Sequence, residues 1–208
     1  MADLAVRSQA RHLLISLALK WQKAGSGSAE SFLRERTARM KFPDLTALLH
    51  GINWAVIGAA ATRLYMPERL TNDLDILINA ADAEIVRERL AQNGAAYRSE
   101  LSIGGSSWTL ADGFPLDVLE GRDDWTPAAL REAQTNRGGD GAPVLPLAYL
   151  VLMKFRASRV QDIADVSRML GQASEEQLEE VRHIFVQFQS EGADDIESLI
   201  MLGRMEMQ

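Results

Sequence analysis

The 208-residue sequence contains no cysteine, 3 histidines and 6 prolines. Without cysteine there is no disulfide framework, no thiolate metal site and no cysteine nucleophile. His12, His50 and His183 stand far apart, without the spacing of a histidine metal site. Gly-x-Ser-x-Gly and Walker A patterns are missing, so the signatures of serine hydrolases and P-loop NTPases are absent. Long apolar runs are lacking too. Leu13 to Leu19 falls well short of the about 20 residues that cross a bilayer. Lys20, Trp21 and Lys23 follow where a signal peptide would carry a small-residue cleavage site. A cytoplasmic protein with no membrane partner is expected.

What is present is an ordinary globular balance, 47% hydrophobic and 25% charged, enough to bury a core without staples. The net charge of −7 is unevenly placed. Residues 1–170 carry 20 basic and 20 acidic side chains, whereas residues 171–208 carry 2 and 9. The acidic excess therefore excludes a basic coat over the molecule but leaves a local nucleic-acid or triphosphate site open.

Three regions follow from the patterning: an N-terminal helical segment (1–49), an α/β core (50–145) and a C-terminal helical region (146–208). Leu4, Leu13, Leu14, Leu17 and Leu19 read as the apolar face of a first helix. Gly25 to Ser28 breaks the pattern, and a second helix is predicted from Ala29 to Met40. Pro43 ends it, and Asp44 caps a short helix through Leu49. Trp54 to Ile57 and Leu74 to Ile78 read as buried strands, with a helix opening at Ala59 to Ala61 between them. Asp82 starts a helix that Asn93-Gly94 ends. Strands are expected over Tyr97 to Ile103, Ser107 to Ala111 and Leu116 to Leu119, with turns at Gly104-Gly105 and Asp112-Gly113. Four helices follow Pro146, one opened by a Ser174–Gln177 capping box.

The chemistry concentrates in the core. Asp73 and Asp75, two residues apart in a strand, project from one face, while Leu74, Ile76 and Ile78 face the other. Adjacent carboxylates repel unless a cation or strong donors lie between them. A hard divalent ion prefers such oxygen ligands and bridges them to phosphates. Upstream, Gly58 lets a backbone approach closely, and the helix start behind it offers N–H groups to a phosphate. Downstream, Asp117 sits in the apolar run Leu116-Asp117-Val118-Leu119, where burial without a partner is costly. It is a candidate third ligand or general base. Solvated strand ends would account for each carboxylate alone, but the three features occur in an order that fits one site.

The segment from Val56 to Ile78, with Gly58-Ala59, then thirteen residues, then Asp73-Leu74-Asp75, resembles the signature of the nucleotidyltransferase (DNA polymerase β-like) fold. Arg69-Leu70-Thr71-Asn72-Asp73-Leu74-Asp75 matches the form seen in minimal bacterial members. Lys154 to Asp165 is similar to the helix pair of the AbiEii-like group, which includes toxins of toxin–antitoxin systems. Ala59 departs from the pattern, standing where most members carry Gly or Ser.

The resemblance implies an α+β fold: a mixed central sheet with flanking helices, N-terminal helices and a C-terminal helical bundle. It implies transfer of NMP from an NTP to an acceptor hydroxyl on tRNA, a protein or a small molecule, with a cognate antitoxin as a partner. Asp73, Asp75 and Asp117 would be the catalytic and metal-binding carboxylates, for Mg²⁺ or Mn²⁺. Gly58, Ala59, Arg69, Thr71 and Lys154 would bind the nucleotide. An RNA acceptor would need a basic groove, for which Arg122, Arg131, Arg137, Arg156 and Arg159 are candidates. The alternative is a catalytically silent nucleotide-binding or interaction module of the same fold. Asp162 and Asp165, with Arg159 three residues before Asp162, read as a helix-start ion pair or as groups that orient Lys154.

Overall fold

The structure is a computed structural model that describes residues 2–21, 42–66, 71 and 73–206. Arg69 and the segment 22–41, with the Gly25 to Ser28 break and the helix expected from Ala29 to Met40, lie outside the described residues. In chain order the elements are α1 (Ala2–Trp21), β1 (Trp54–Val56), α2 (Gly58–Thr62), β2 (Leu74–Asn79), α3 (Ala83–Gln92), β3 (Ala96–Glu100), β4 (Gly105–Thr109) and β5 (Pro115–Gly121). They continue with α4 (Thr126–Ala133), α5 (Leu147–Ala157), α6 (Val160–Gln172), α7 (Glu175–Phe188) and α8 (Ala193–Glu206). This is an α+β architecture with a mixed five-stranded sheet. The chain divides into two units, one of residues 31–146 and one of residues 1–30 with 147–208.

In the first unit the strand order is β1-β2-β5-β4-β3. Among the described strands, β2 and β5 pair in parallel and the other neighbours are antiparallel. Alternation along β2 and β5 sends Leu74, Ile76, Ile78, Leu116 and Val118 to one face, where all are buried. The other face carries Asp75 and Asp117, then Leu77 and Gly121 farther along, where Thr126 at the start of α4 closes over it. The helix α4 was not anticipated, although Pro127 in its first turn is a recognised start signal. Its end is tied to β1 by Gln134 Nε2, which donates to the Trp54 carbonyl at 3.0 Å. The outer edge of β1 is closed by backbone bonds between Val56 and residues Pro143 and Leu145. The short helix expected from Asp44 is a turn instead, in which the Thr46 N–H donates to the Asp44 carboxylate at 2.9 Å. An Asx turn satisfies the same donor that a helix cap would.

The second unit is helical. The Ser174–Gln177 capping box forms as expected. Helices α6 and α8 cross at glycines: a Cβ on Gly203 would lie 1.9 Å from the Ser167 carbonyl oxygen. Leu13, Leu14 and Leu17 are exposed, so the apolar face expected for α1 is not the face that docks. Arg11 and Ile15 are buried in their place. A buried partner decides this: Arg11 Nε donates to Asp195 Oδ2 at 3.1 Å, its Nη1 to Ser158 Oγ at 3.0 Å, and its guanidinium lies 3.9 Å from the Phe155 ring centroid. These charge-assisted bonds fix the Arg11 face of α1 against α8. Among the described residues no helix is long and apolar enough to cross a membrane.

Candidate active site

The parallel pairing of β2 with β5 sets Asp75 directly beside Asp117. Both are half-buried on the same face, and Asp117 has no hydrogen-bond or ion-pair partner among the described residues. Like charges at directly opposed strand positions are unfavourable, and a half-buried carboxylate without a partner adds desolvation cost. Asp73 lies just before β2 and is exposed; its carboxylate accepts the Thr71 hydroxyl. That contact fixes the approach to the strand. Among the described residues no three His, Asp or Glu side chains converge as a ready metal cage. The donor chemistry of Asp73, Asp75 and Asp117, hard anionic oxygens, nevertheless suits a divalent cation such as Mg²⁺.

Gly58 explains the glycine in the sequence pattern. Its φ is +64°, and a Cβ there would lie 1.9 Å from Asp75 Oδ2. The glycine thus admits the Asp75 carboxylate against the backbone, while the Ile57 N–H holds the Asp75 carbonyl at 2.9 Å. Ala59 is buried in α2, whose five residues align few peptide dipoles. Gly58→Ala is expected to cost about 1–2 kcal/mol from the left-handed backbone alone, read as a lower urea midpoint. Displacement of Asp75 should cut any activity of the site more than tenfold, roughly, since each 1.4 kcal/mol is a factor of ten. A wild-type urea midpoint and rate in this variant would sink the argument.

Lys154, on α5 of the helical unit, is buried rather than snorkelling. Its Nζ donates to Asp162 at 3.1 Å and Asp165 at 2.8 Å, which commits two of its three protons. Arg159 pairs with Asp162 as the i, i+3 spacing suggested. Of the arginines considered for a groove, Arg122 pairs with Glu120 and Arg137 bonds the carbonyls of Gln134 and Gly141. Arg156 bonds the Phe188 carbonyl and the Gln189 side chain.

The rest of the face carries no local signal in the sequence. Ser107 on β4 lies opposite Asp117, and Ser99 on β3 lies opposite Ser107. A transverse row therefore runs Asp75, Asp117, Ser107, Ser99. Serines in a strand carry no signal by themselves, and only register lines them up. On the opposite face Arg87 joins Glu100 and Glu120, and its hydrogen bond holds the Glu100 carboxyl below the usual carboxylate range.

No family model matches the chain, and no curated protein matches it in sequence. Among solved structures it is similar to ANT(2")-Ia in complex with adenylyl-2"-tobramycin, with a TM-score of 0.44 and 17% identity over 79% of this chain and 95% of that one. The solution structure of the antibiotic-resistance factor ANT(2'')-Ia gives a TM-score of 0.46 and 16% identity, over 78% and 89%. Terminal uridylyl transferase 4 from Trypanosoma brucei with bound GTP gives 0.31 and 12%, over 78% and 71%.

Proposed function

We propose that this chain is a metal-dependent nucleotidyltransferase that moves NMP from an NTP to an acceptor hydroxyl. The observation that carries the reading is the pairing of Asp75 with Asp117, with Gly58 backed against the Asp75 carboxylate. Two adjacent carboxylates, one without a partner among the described residues, are costly in a resting fold and suited to a site that gathers cations and phosphates.

Asp73 and Asp75 would hold Mg²⁺, or Mn²⁺, on the triphosphate, and Asp117 would complete the set. A bound divalent ion supplies neutralisation of the phosphate charge in such displacements. The protein's own groups then do the following. Gly58 seats the Asp75 carboxylate, Thr71 bonds Asp73, and the Gly58-Ala59 backbone is a phosphate contact carried by the resemblance alone. Arg69 and Lys154 are nucleotide-binding candidates carried by the resemblance alone. Asp117 takes the proton of the acceptor hydroxyl as its oxygen attacks the α-phosphorus in line. The new O–P bond forms as the bond to the β-phosphate oxygen breaks, and pyrophosphate leaves with that electron pair.

Incubation with each α-labelled NTP, Mg²⁺ and a cell extract tests the reading, beside Asp73→Ala and Asp75→Ala. Label should pass to one acceptor class, RNA, protein or small molecule, with wild-type protein only. Transfer that persists in both variants, or never occurs, would falsify it. Ala59 in place of the family's Gly or Ser favours the second reading, a nucleotide-binding module without turnover. NTP binding without label transfer would mark that case.

A further inference from the structure

The row Asp75, Asp117, Ser107, Ser99 has a direction. At one end Asp75 rests on Gly58, the residue that the proposed reaction gives to the triphosphate. From Asp117 the row continues over β4 to the exposed edge strand β3. There the pairing slips: Tyr97 faces Trp108, but Ser99 faces Ser107, so Arg98 is an extra residue in β3. Such a bulge sets two consecutive residues, Arg98 and Ser99, against one on the partner strand. Arg98 Nε donates to Thr109 Oγ1 at 2.7 Å, and Thr109 shares its face with Ser107 by alternation. Alternation from Tyr97 places the Arg98 guanidinium on the face that bears the carboxylates, and the bulge brings Ser99 to that face beside it. Unlike Arg87 and Arg122, Arg98 has no carboxylate partner among the described residues. With Nε spent on Thr109, its two terminal nitrogens form a fork suited to a phosphate.

We infer that the acceptor lies across β5, β4 and β3, its attacking hydroxyl at Asp117 beside Ser107, and that it carries a phosphate held by Arg98. This rests on the nucleotidyltransferase reading above and adds the substrate class, a small phosphorylated polyol. Residues 31–146 carry 12 basic and 16 acidic side chains, a poor surface for a long polyanion. Arg98 and the serine row instead match one phosphate and a few hydroxyls.

Ribose 5-phosphate and ribose form the test pair, a small polyol with and without a phosphate. Each is titrated as acceptor against every NTP with Mg²⁺, on wild type, Arg98→Ala and Arg98→Lys, with pyrophosphate release as the readout. Wild type should half-saturate with ribose 5-phosphate roughly tenfold or more below ribose, the scale of a charge-assisted bond. Arg98→Ala should bring the two within about twofold through KM rather than kcat, and Arg98→Lys should keep part of the preference. Equal half-saturation in wild type overturns the inference. So does a preference that survives Arg98→Ala, or one for a single-stranded RNA oligonucleotide that falls steeply with salt. If no NTP releases pyrophosphate, the nucleotidyltransferase reading fails separately, and the strip is judged by binding. The Arg98 Nε–H NMR signal, assigned by its loss in Arg98→Lys, should then move with ribose 5-phosphate and not with ribose. A signal that ignores both overturns the strip as well.

Discussion

Lys154→Met is expected to destabilise the helical unit by about 3–5 kcal/mol, the cost of removing one partner from a buried ion pair. The side chains of Lys154, Asp162 and Asp165 are only 7%, 4% and 1% exposed. Methionine fills much of the lysine volume, so the loss is electrostatic: two carboxylates remain in a desolvated site without their shared cation. Urea unfolding followed by helical circular dichroism measures it. The companion triple variant, Lys154→Met with Asp162→Asn and Asp165→Asn, removes the orphaned charges and should recover most of the loss. A single variant that unfolds at the wild-type midpoint would show that the lysine is not holding these helices together. Asp162 is also bonded by Arg159, which is exposed, so Asp165 should bear the larger share of the penalty.

Asp117→Asn carries the largest expected effect on activity. Loss of a general base slows a reaction by roughly 10²–10⁴-fold, and the proposed nucleotidyl transfer, in which Asp117 is that base, should fall by as much. Stability should move the other way. Asparagine removes one of two like charges at opposed positions in the sheet, and such pairs cost roughly 0.2–1 kcal/mol. A higher urea midpoint with a collapsed rate is the pattern of a residue kept for chemistry at the expense of the fold. If the rate is unchanged, Asp117 has no part in the reaction; if stability falls, the carboxylate is a structural partner. Asp75→Asn should lose activity similarly.

Much of the core was legible because its signals are local. Strands β2 and β5 announce themselves by apolar residues on one parity, and Gly58 marked a backbone position that no other residue fits. The capping box at Ser174 needed only two residues three apart. Boundaries shifted by a few residues where turns competed: the strand expected to reach Ile103 ends at Glu100, because 101–104 form the turn into β4. The leucines of α1 form a clean apolar stripe, yet nothing local says that Arg11 finds Asp195, 184 residues away.

The sequence by itself determined the five core strands and the helices α2 and α3 in their order, and the spacing of a glycine, a carboxylate pair and a third carboxylate. These follow from periodicity and from single-residue conformational limits, which act within a few positions. Only the tertiary structure decided which carboxylates are neighbours. Asp75 and Asp117 meet because β2 and β5 pair in parallel in one register, and a slip of one residue would turn Asp117 to the other face. The same register lines Ser107 beside them, and a single extra residue in β3 brings Ser99 into the row next to Arg98. Pairing between distant strands is set by the global burial of apolar faces, which no local pattern contains.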